Sequence, residues 1–318
     1  MAIKNARESQ SGIALITAML VVALAAIAAT AILSSANVAI HRTATLQDTE
    51  KAWWYAAGVE SWVKTILERD LDANQYDGLT DVWARPVDFL PTDEGFLRGS
   101  VIDLSGRYNL NNLAVTDAAA YQKQVEIFVR LLAMLEMTDE FRARALANAI
   151  RDWIDPDNEP TGFDGAEDSE YLGVNPPYRV ANRLMVSTSE LMAIKGMDRE
   201  LYARLRDVVS ALPRSGVPIN VNTAPAPVLR ALVKQPGPEF EAFERSRAEK
   251  PAESLQALEG AGVFGAQDAP REMMSVKSQF FLLRAEAFVG SGRIALYSSI
   301  YRPDQGIPTV YGRSIHTE

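Results

Sequence analysis

Gly12-Ile13-Ala14-Leu15-Ile16-Thr17-Ala18-Met19-Leu20-Val21-Val22-Ala23-Leu24-Ala25-Ala26-Ile27-Ala28-Ala29-Thr30-Ala31-Ile32-Leu33 is the stretch on which the fold turns, because its 21 residues from Ile13 onward carry no charge. A run of that length is enough to cross a hydrocarbon core of roughly 30 Å. Outward from it, residues 13 to 77 contain no proline and one glycine, Gly58. Leu46, Trp53, Trp54, Ala57, Trp62, Val63, Ile66 and Leu67 recur close to the spacing of one helical face. The pattern predicts a single helix from about Ile13 to about Arg69, roughly 85 Å long at ~1.5 Å per residue. Its first half is apolar all round and its second half amphipathic; two abutting helices are the alternative.

Ahead of the run lies a short leader carrying Lys4 and Arg7, and the first basic residue after it is Arg42. That asymmetry holds the N-terminus in the cytoplasm and sends the rest of the chain across. Three fates fit the run alone. One is a cleaved secretory signal, with small-residue sites such as Ala23-Leu24-Ala25. The second is a plain single-span anchor. The third is a prepilin-type leader, cut after Gly12 so that the apolar stretch remains as the mature N-terminus. A signal peptide needs no helical continuation, so the long helix favours the third.

Composition narrows the function classes. The 318-residue chain is 47% hydrophobic and 23% charged, as a folded protein is. Its net charge of −9 argues against a general affinity for nucleic acid or anionic lipid. With zero cysteines there is no disulfide, thiolate nucleophile or cysteine zinc site. The two histidines, His41 and His316, leave almost no room for a Ser-His-Asp triad or a two-histidine metal site. The sequence leans towards a non-enzyme.

A basic leader ending in glycine, an apolar helix and an amphipathic continuation resemble a type IV pilin-like protein. The aromatic-rich Ala52-Trp53-Trp54-Tyr55-Ala56-Ala57-Gly58-Val59-Glu60, with the motifs below, narrows the resemblance to the K-type minor pseudopilins of the type II secretion system, over nearly the whole chain. The resemblance implies cleavage by the prepilin peptidase between Gly12 and Ile13 and N-methylation of Ile13. Ordinary pilins carry a glutamate at the fifth mature position, which here is Thr17. Within a filament that carboxylate neutralises a neighbour's amine in an apolar core, where an unpaired charge costs several kcal/mol. A subunit without it suits a position where that partner is missing, and the resemblance likewise implies a filament tip.

The head begins after Asp70. Arg98 to Leu104 reads as a strand, Phe280 to Val289 as a second, and Gly290-Ser291-Gly292 as a turn into a hairpin partner from Arg293 to Tyr301. Thr309 to Ile315 is a candidate edge strand. Between them, Ala118 to Met137, Phe141 to Ile154, Ser189 to Ile194, Arg199 to Leu212 and Ala224 to Val233 read as helices. The expected fold is α+β and type IV pilin-like: a long N-terminal helix, a small antiparallel sheet and a large inserted all-α subdomain. Its expected parts are a leader (1–12), a transmembrane or assembly half-helix (13–33), an amphipathic half-helix (34–70), a head (71–112 and 276–318) and a helical insert (113–275).

Within the insert, eight acids fall between Asp152 and Glu170, and no lysine or arginine appears from Asp152 to Tyr178. Hard cations such as calcium take six to eight oxygens at about 2.3 to 2.6 Å. The spacing is not that of an EF-hand, because Pro160 stands where the obligatory glycine belongs and the closing acid is shifted by one position. A solvated acidic loop is the bland alternative. Trp153, Ile154, Phe163 and Tyr171 interleave with the acids, so the loop is expected to pack, and packed carboxylates without basic partners need a cation. The candidate ligands are Asp155, Asp157, Glu159, Asp164, Glu167 and Asp168 in the loop 152–171. The resemblance also implies calcium, as a structural ion.

Glu190 to Met197 and Ser254 to Gly262 have the spacing of helix-hairpin-helix repeats, and Ile219 to Ala226 resembles the opening of such units in membrane-anchored DNA receptors. Seven Lys/Arg against four Asp/Glu from Ser187 to Gln235 keep a DNA-binding alternative open. Asp198 and Glu259 beside the two turns favour a purely structural use. A third alternative, an exported calcium-dependent hydrolase, lacks a histidine partner and a nucleophile.

The resemblance implies a single-pass bacterial inner-membrane protein with its C-terminal head in the periplasm. Its implied partners are the I-type and J-type minor pseudopilins, the inner membrane and the prepilin peptidase. No nucleic acid and no small-molecule substrate is expected. The implied role is to start or cap a pseudopilus that exports folded proteins.

Overall fold

The computed structural model describes residues 8–136, 139–265 and 268–317, with side chains from residue 12 onward. Lys4, Arg7 and the first seven leader positions lie outside the described residues, as does Met137 at the expected end of the second helix. With nothing to interrupt it, helix α1 runs unbroken over Glu8–Ala73, 66 residues, about 100 Å at ~1.5 Å per residue. This is the expected single helix, longer at both ends. Residues 12–47 are exposed throughout, and among the described residues α1 is the one helix long and apolar enough to cross a membrane.

From Asp48 onward α1 becomes half-buried. Ala52, Ala56, Glu60, Val63 and Leu67 form its buried stripe, against a five-stranded antiparallel sheet of order β1-β2-β7-β8-β9. Its strands are β1 (Val87–Thr92), β2 (Gly95–Asp103), β7 (Phe280–Val289), β8 (Gly292–Tyr301) and β9 (Thr309–Ile315), and between β2 and β7 lie the short β3 (Tyr108–Asn109), β4 (Val209–Ser210), β5 (Ile219–Asn220) and β6 (Met274–Ser275). Leu97, Phe281, Leu283, Ala285, Ala287, Leu296 and Ile300 meet the helix from the sheet. Of the face expected from the spacing, Val63 and Leu67 are buried and Trp53 and Ile66 pack partly against this core, whereas Leu46, Trp54 and Trp62 are exposed. Alanines on both sides, Ala52 and Ala56 from the helix and Ala285 and Ala287 from the sheet, form part of the seam, and Trp53 packs at its margin.

The hairpin is as expected, and so is the edge strand β9. At its turn Ser291 donates to Asp48 from its N–H (2.9 Å) and its hydroxyl (3.0 Å). A Cβ on Gly292 would lie 2.4 Å from the Asp48 carbonyl carbon, so only glycine lets the turn touch the helix there. Strand β1 was not legible: it is an edge strand with a register shift and Pro91 inside it.

The helical part contains α2 (Ala118–Met134), α3 (Glu140–Ile154), α4 (Asp168–Tyr171), α5 (Arg199–Leu205), α6 (Ala226–Ala231), α7 (Pro238–Ser246) and α8 (Leu255–Gly260). Asp117 and Asp139 cap α2 and α3 by accepting from Ala120 N and Arg142 N. Two expectations are corrected and one helix is added. Thr188–Ala193 is a 3-10 helix, α5 ends at Leu205 and gives way to β4, and α7 was not foreseen. These segments pack into one apolar core around Phe128, Leu131, Leu146, Ile150, Val228 and Phe240. Leu212 and Val217 then close on Leu104, Phe280 and Leu282 at one end of the sheet's outer face.

Candidate functional site

Helix α3 ends where Pro156 follows Asp155, because the residue before proline is pushed out of the helical region. Its last turn holds Asp152, fully buried, whose Oδ1 accepts from Thr161 N at 2.8 Å and whose Oδ2 accepts from Ala166 N at 2.6 Å. The acidic loop is thus folded back on its own first carboxylate. A Cβ on Gly165 would lie 2.3 Å from Asp152 Oδ2, so glycine is required at the point of closest return. Trp153 meets Tyr171 and Tyr178 edge-on, and the two tyrosines stack on each other, with ring centroids 5.2 to 6.3 Å apart. Phe163, expected to pack, is 99% exposed.

That folding brings Asp155, Asp157 and Glu167 together, with one oxygen from each within 4.8 Å of the others. The remaining candidates are not in this group. Asp168 is committed to Val180 N (3.1 Å) and to Arg179 (3.5 Å), Glu159 is exposed, and Asp164 is half-buried. The loop also has basic neighbours that its own sequence lacks: Arg151 stands 3.7 Å from Asp155, and Lys195 3.1 Å from Glu170.

Compensation inside the triad is incomplete. Glu167 is 4% exposed, and neither of its carboxylate oxygens has a hydrogen-bond donor; Asp155 Oδ1 has none either. Burial, then the charges of Asp152, Asp155, Asp157 and Asp168, push the Glu167 carboxyl up to about 7. Burial with Asp157 and Asp152 raises Asp155 to about 6 against the pull of Arg151. Orphaned, mutually repelling oxygens on an otherwise satisfied loop fit a hard divalent cation.

A second group of buried polar residues, by contrast, is extensively hydrogen-bonded. Asp77, Asp103, Asn220 and Asn222 are buried where stem, sheet and helical part meet. Asp103 accepts from Ser105 N (2.7 Å), Asn220 Nδ2 (3.2 Å), Thr223 Oγ1 (2.5 Å) and Ser278 Oγ. Asn222 Nδ2 donates to Asp77 O and Ala252 O. The Asn220–Asn222 segment, which had suggested a DNA receptor, is committed to holding these layers together. At the two hairpin turns Gly196 and Gly262 adopt positive φ, +86° and +75°. The cations there face acids: Lys195 pairs with Glu170 and Arg271 with Glu259.

On α1, Thr17 Oγ1 donates to Ile13 O and Ala14 O, both at 3.0 Å. Its hydroxyl is satisfied within its own helix and needs no second chain. Gly12 and Ile13 are both helical and exposed.

A membrane-length helix whose continuation forms the spine of an antiparallel-sheet head defines a pilin-like protein. Residues 106–214 match the family described as "Type II secretion system (T2SS), protein K". The type II secretion system protein K of Pseudomonas aeruginosa is 34% identical over 97% of this chain and 94% of its own length. That of Aeromonas hydrophila is 34% identical over 92% and 93%. In the crystal structure of the GspK-GspI-GspJ complex from the enterotoxigenic Escherichia coli type 2 secretion system, one chain superposes with a TM-score of 0.76 and 29% identity, covering 87% of this chain and 100% of that one. The chain belongs to the type II secretion system protein K family. It is a minor pseudopilin, a structural component and not an enzyme.

Proposed function

We propose that this chain sits at the tip of a periplasmic pseudopilus, together with I-type and J-type minor pseudopilins, and promotes assembly of that filament for export of folded proteins. The observation that carries the reading is α1: one helix, exposed over residues 12–47 and then fixed to the head. Its apolar half serves first as the inner-membrane anchor and then as packing surface for neighbouring stems, with the head on the periplasmic side. Thr17 supports the terminal position, because its hydroxyl is self-satisfied where a shaft subunit needs a paired carboxylate. The related complex with GspI and GspJ supports the choice of partners.

The prepilin peptidase acts between Gly12 and Ile13, and Ile13 becomes the methylated mature N-terminus. Calcium is held by Asp155, Asp157 and Glu167, with Asp152 fixing the loop around them. The bound ion supplies positive charge and cross-links the loop, and its role is structural. Co-expression of the full-length chain with its I-type and J-type counterparts tests the reading. A ternary complex extracted from membranes is expected, and failure of the three to associate overturns it. For calcium, titration calorimetry on the detergent-solubilised, chelator-treated chain is decisive: no heat and no change in melting temperature would sink that assignment.

A further inference from the structure

After Tyr171 the chain runs over residues 172–187 without helix or strand, and residues 172–179 are all exposed. Both ends of this strap are fixed. Tyr171 is buried and meets Trp153 edge-on. Met185 donates from its N–H to Asn111 Oδ1 and accepts from Asn111 Nδ2, each at 2.9 Å. Between these ends the strap carries Arg179, Arg183 and no acid. Its middle is moored to the acidic loop at two points. Asp168 Oδ1 accepts from Val180 N at 3.1 Å while Arg179 stands 3.5 Å from Asp168 Oδ2, and Asn158 Oδ1 accepts from Asn182 Nδ2 at 3.1 Å.

Each mooring follows a member of the carboxylate triad: Asn158 follows Asp157, and Asp168 follows Glu167. Neighbouring Cα atoms are only about 3.8 Å apart, so a movement that parts Asp157 from Glu167 parts the two moorings as well. The triad supplies the force for such a movement, because like charges held close and shielded from water repel strongly. Backbone donors do not relieve Glu167, whose two oxygens are both unpaired. The shortage of donors also reaches the strap. Among the described residues, the buried side-chain carbonyl and carboxylate oxygens without a partner belong to Asp155, Glu167 and Asn182.

We infer that the strap, residues 172–184, is a clasp whose closure is set by a divalent cation at the triad. With the triad neutralised, Asn158 and Asp168 keep the spacing that holds Asn182 and Val180. With the triad bare, its repulsion parts the moorings, and the strap lifts while Tyr171 and Met185 retain its ends. The inference rests on the calcium assignment above and adds to it a segment whose order depends on the ion.

Amide hydrogen exchange of the detergent-solubilised full-length chain, read by mass spectrometry in calcium and in chelator, tests it beside titration calorimetry on the same preparation. Peptides from 174–184 are expected to exchange roughly tenfold faster in chelator, while those of α2 change less than about twofold. Asp168→Ala with Asn182→Gly removes both moorings and leaves the triad in place; glycine suits the φ of +44° at position 182. This variant is expected to release heat on binding calcium, yet to exchange rapidly over 174–184 in either condition. Calcium binding by the unaltered chain without a change in strap exchange overturns the clasp and leaves the calcium assignment standing. The same holds if α2 slows as much as the strap, or if the double variant stays protected in calcium. No heat of binding to the unaltered chain overturns both.

Discussion

Asp70, Asp77 and Asp81 at the foot of the stem, and Asp155, Asp157 and Glu167 in the acidic loop, each bring three carboxylate oxygens within 4.8 Å of one another. They are answered differently. In the first group Arg302, 2% exposed, reaches Asp77 with Nη2 (2.6 Å to each oxygen) and Asp70 with Nη1 (3.2 Å), and it donates to Leu67 O and Ser278 O as well. The chain supplies its own cation there, on the residue that follows β8. In the second group the nearest guanidinium, Arg151, stops 3.7 Å short of Asp155 and does not satisfy Glu167. The same local acidity is therefore a closed structural joint in one place and an uncompensated carboxylate cluster in the other.

The comparison breaks most visibly at Arg302. Its change to Gln leaves buried carboxylates unpaired and is expected to cost about 3 to 5 kcal/mol of stability, in calcium or in chelator alike. Chemical denaturation followed by tryptophan fluorescence reads this, and rescue by calcium would erase the distinction between the two groups. The next effect is that of the ion itself. With calcium at about a thousand times its Kd, mass action adds roughly 4 kcal/mol, so chelation lowers the melting temperature of the unaltered chain. Asp77→Asn leaves that calcium increment intact, whereas Asp157→Asn diminishes it.

Glu167→Gln sharpens the contrast by changing sign. In chelator at pH 8 it removes a charge held among like charges, and it is expected to gain roughly 1 kcal/mol. In calcium it is less stable than the unaltered chain. A loss in both conditions would make Glu167 a plain structural residue. The remaining effect is the pH dependence at the stem. Burial, then Asp81 and Asp77, raise Asp70 from 3.8 to about 7 against Arg302. The folded chain thus binds that proton more tightly than the unfolded chain does. The stability cost is complete above pH 7 and is relieved as the pH falls from about 7 towards 4. Asp70→Asn should flatten this part of the profile, measured as the difference between variant and unaltered chain, and an unchanged slope would contradict the assignment.

What the sequence discloses depends on how local the cause is. The stem was readable because absence of proline and glycine is a local property, and the hairpin because alternation and Gly290-Ser291-Gly292 are contiguous. Three of the six candidate ligands form a group because Asp155, Asp157 and Glu167 lie on one folded loop, whereas Asp168 is claimed by Val180 and Arg179. The Arg302 joint had no local signal: its partners Asp70 and Asp77 lie more than 220 positions away. Nor did the stem's outward-facing Trp54 and Trp62, since a large aromatic at helical spacing reads as core until the alanine seam shows otherwise.

All of this treats α1 as an assembly element and not as an address or a simple anchor. N-terminal sequencing of the mature protein from membranes tests that most directly. The account predicts a start at Ile13, methylated on its amine. A start near Ala26 or beyond, or an intact N-terminus at Met1, would contradict it.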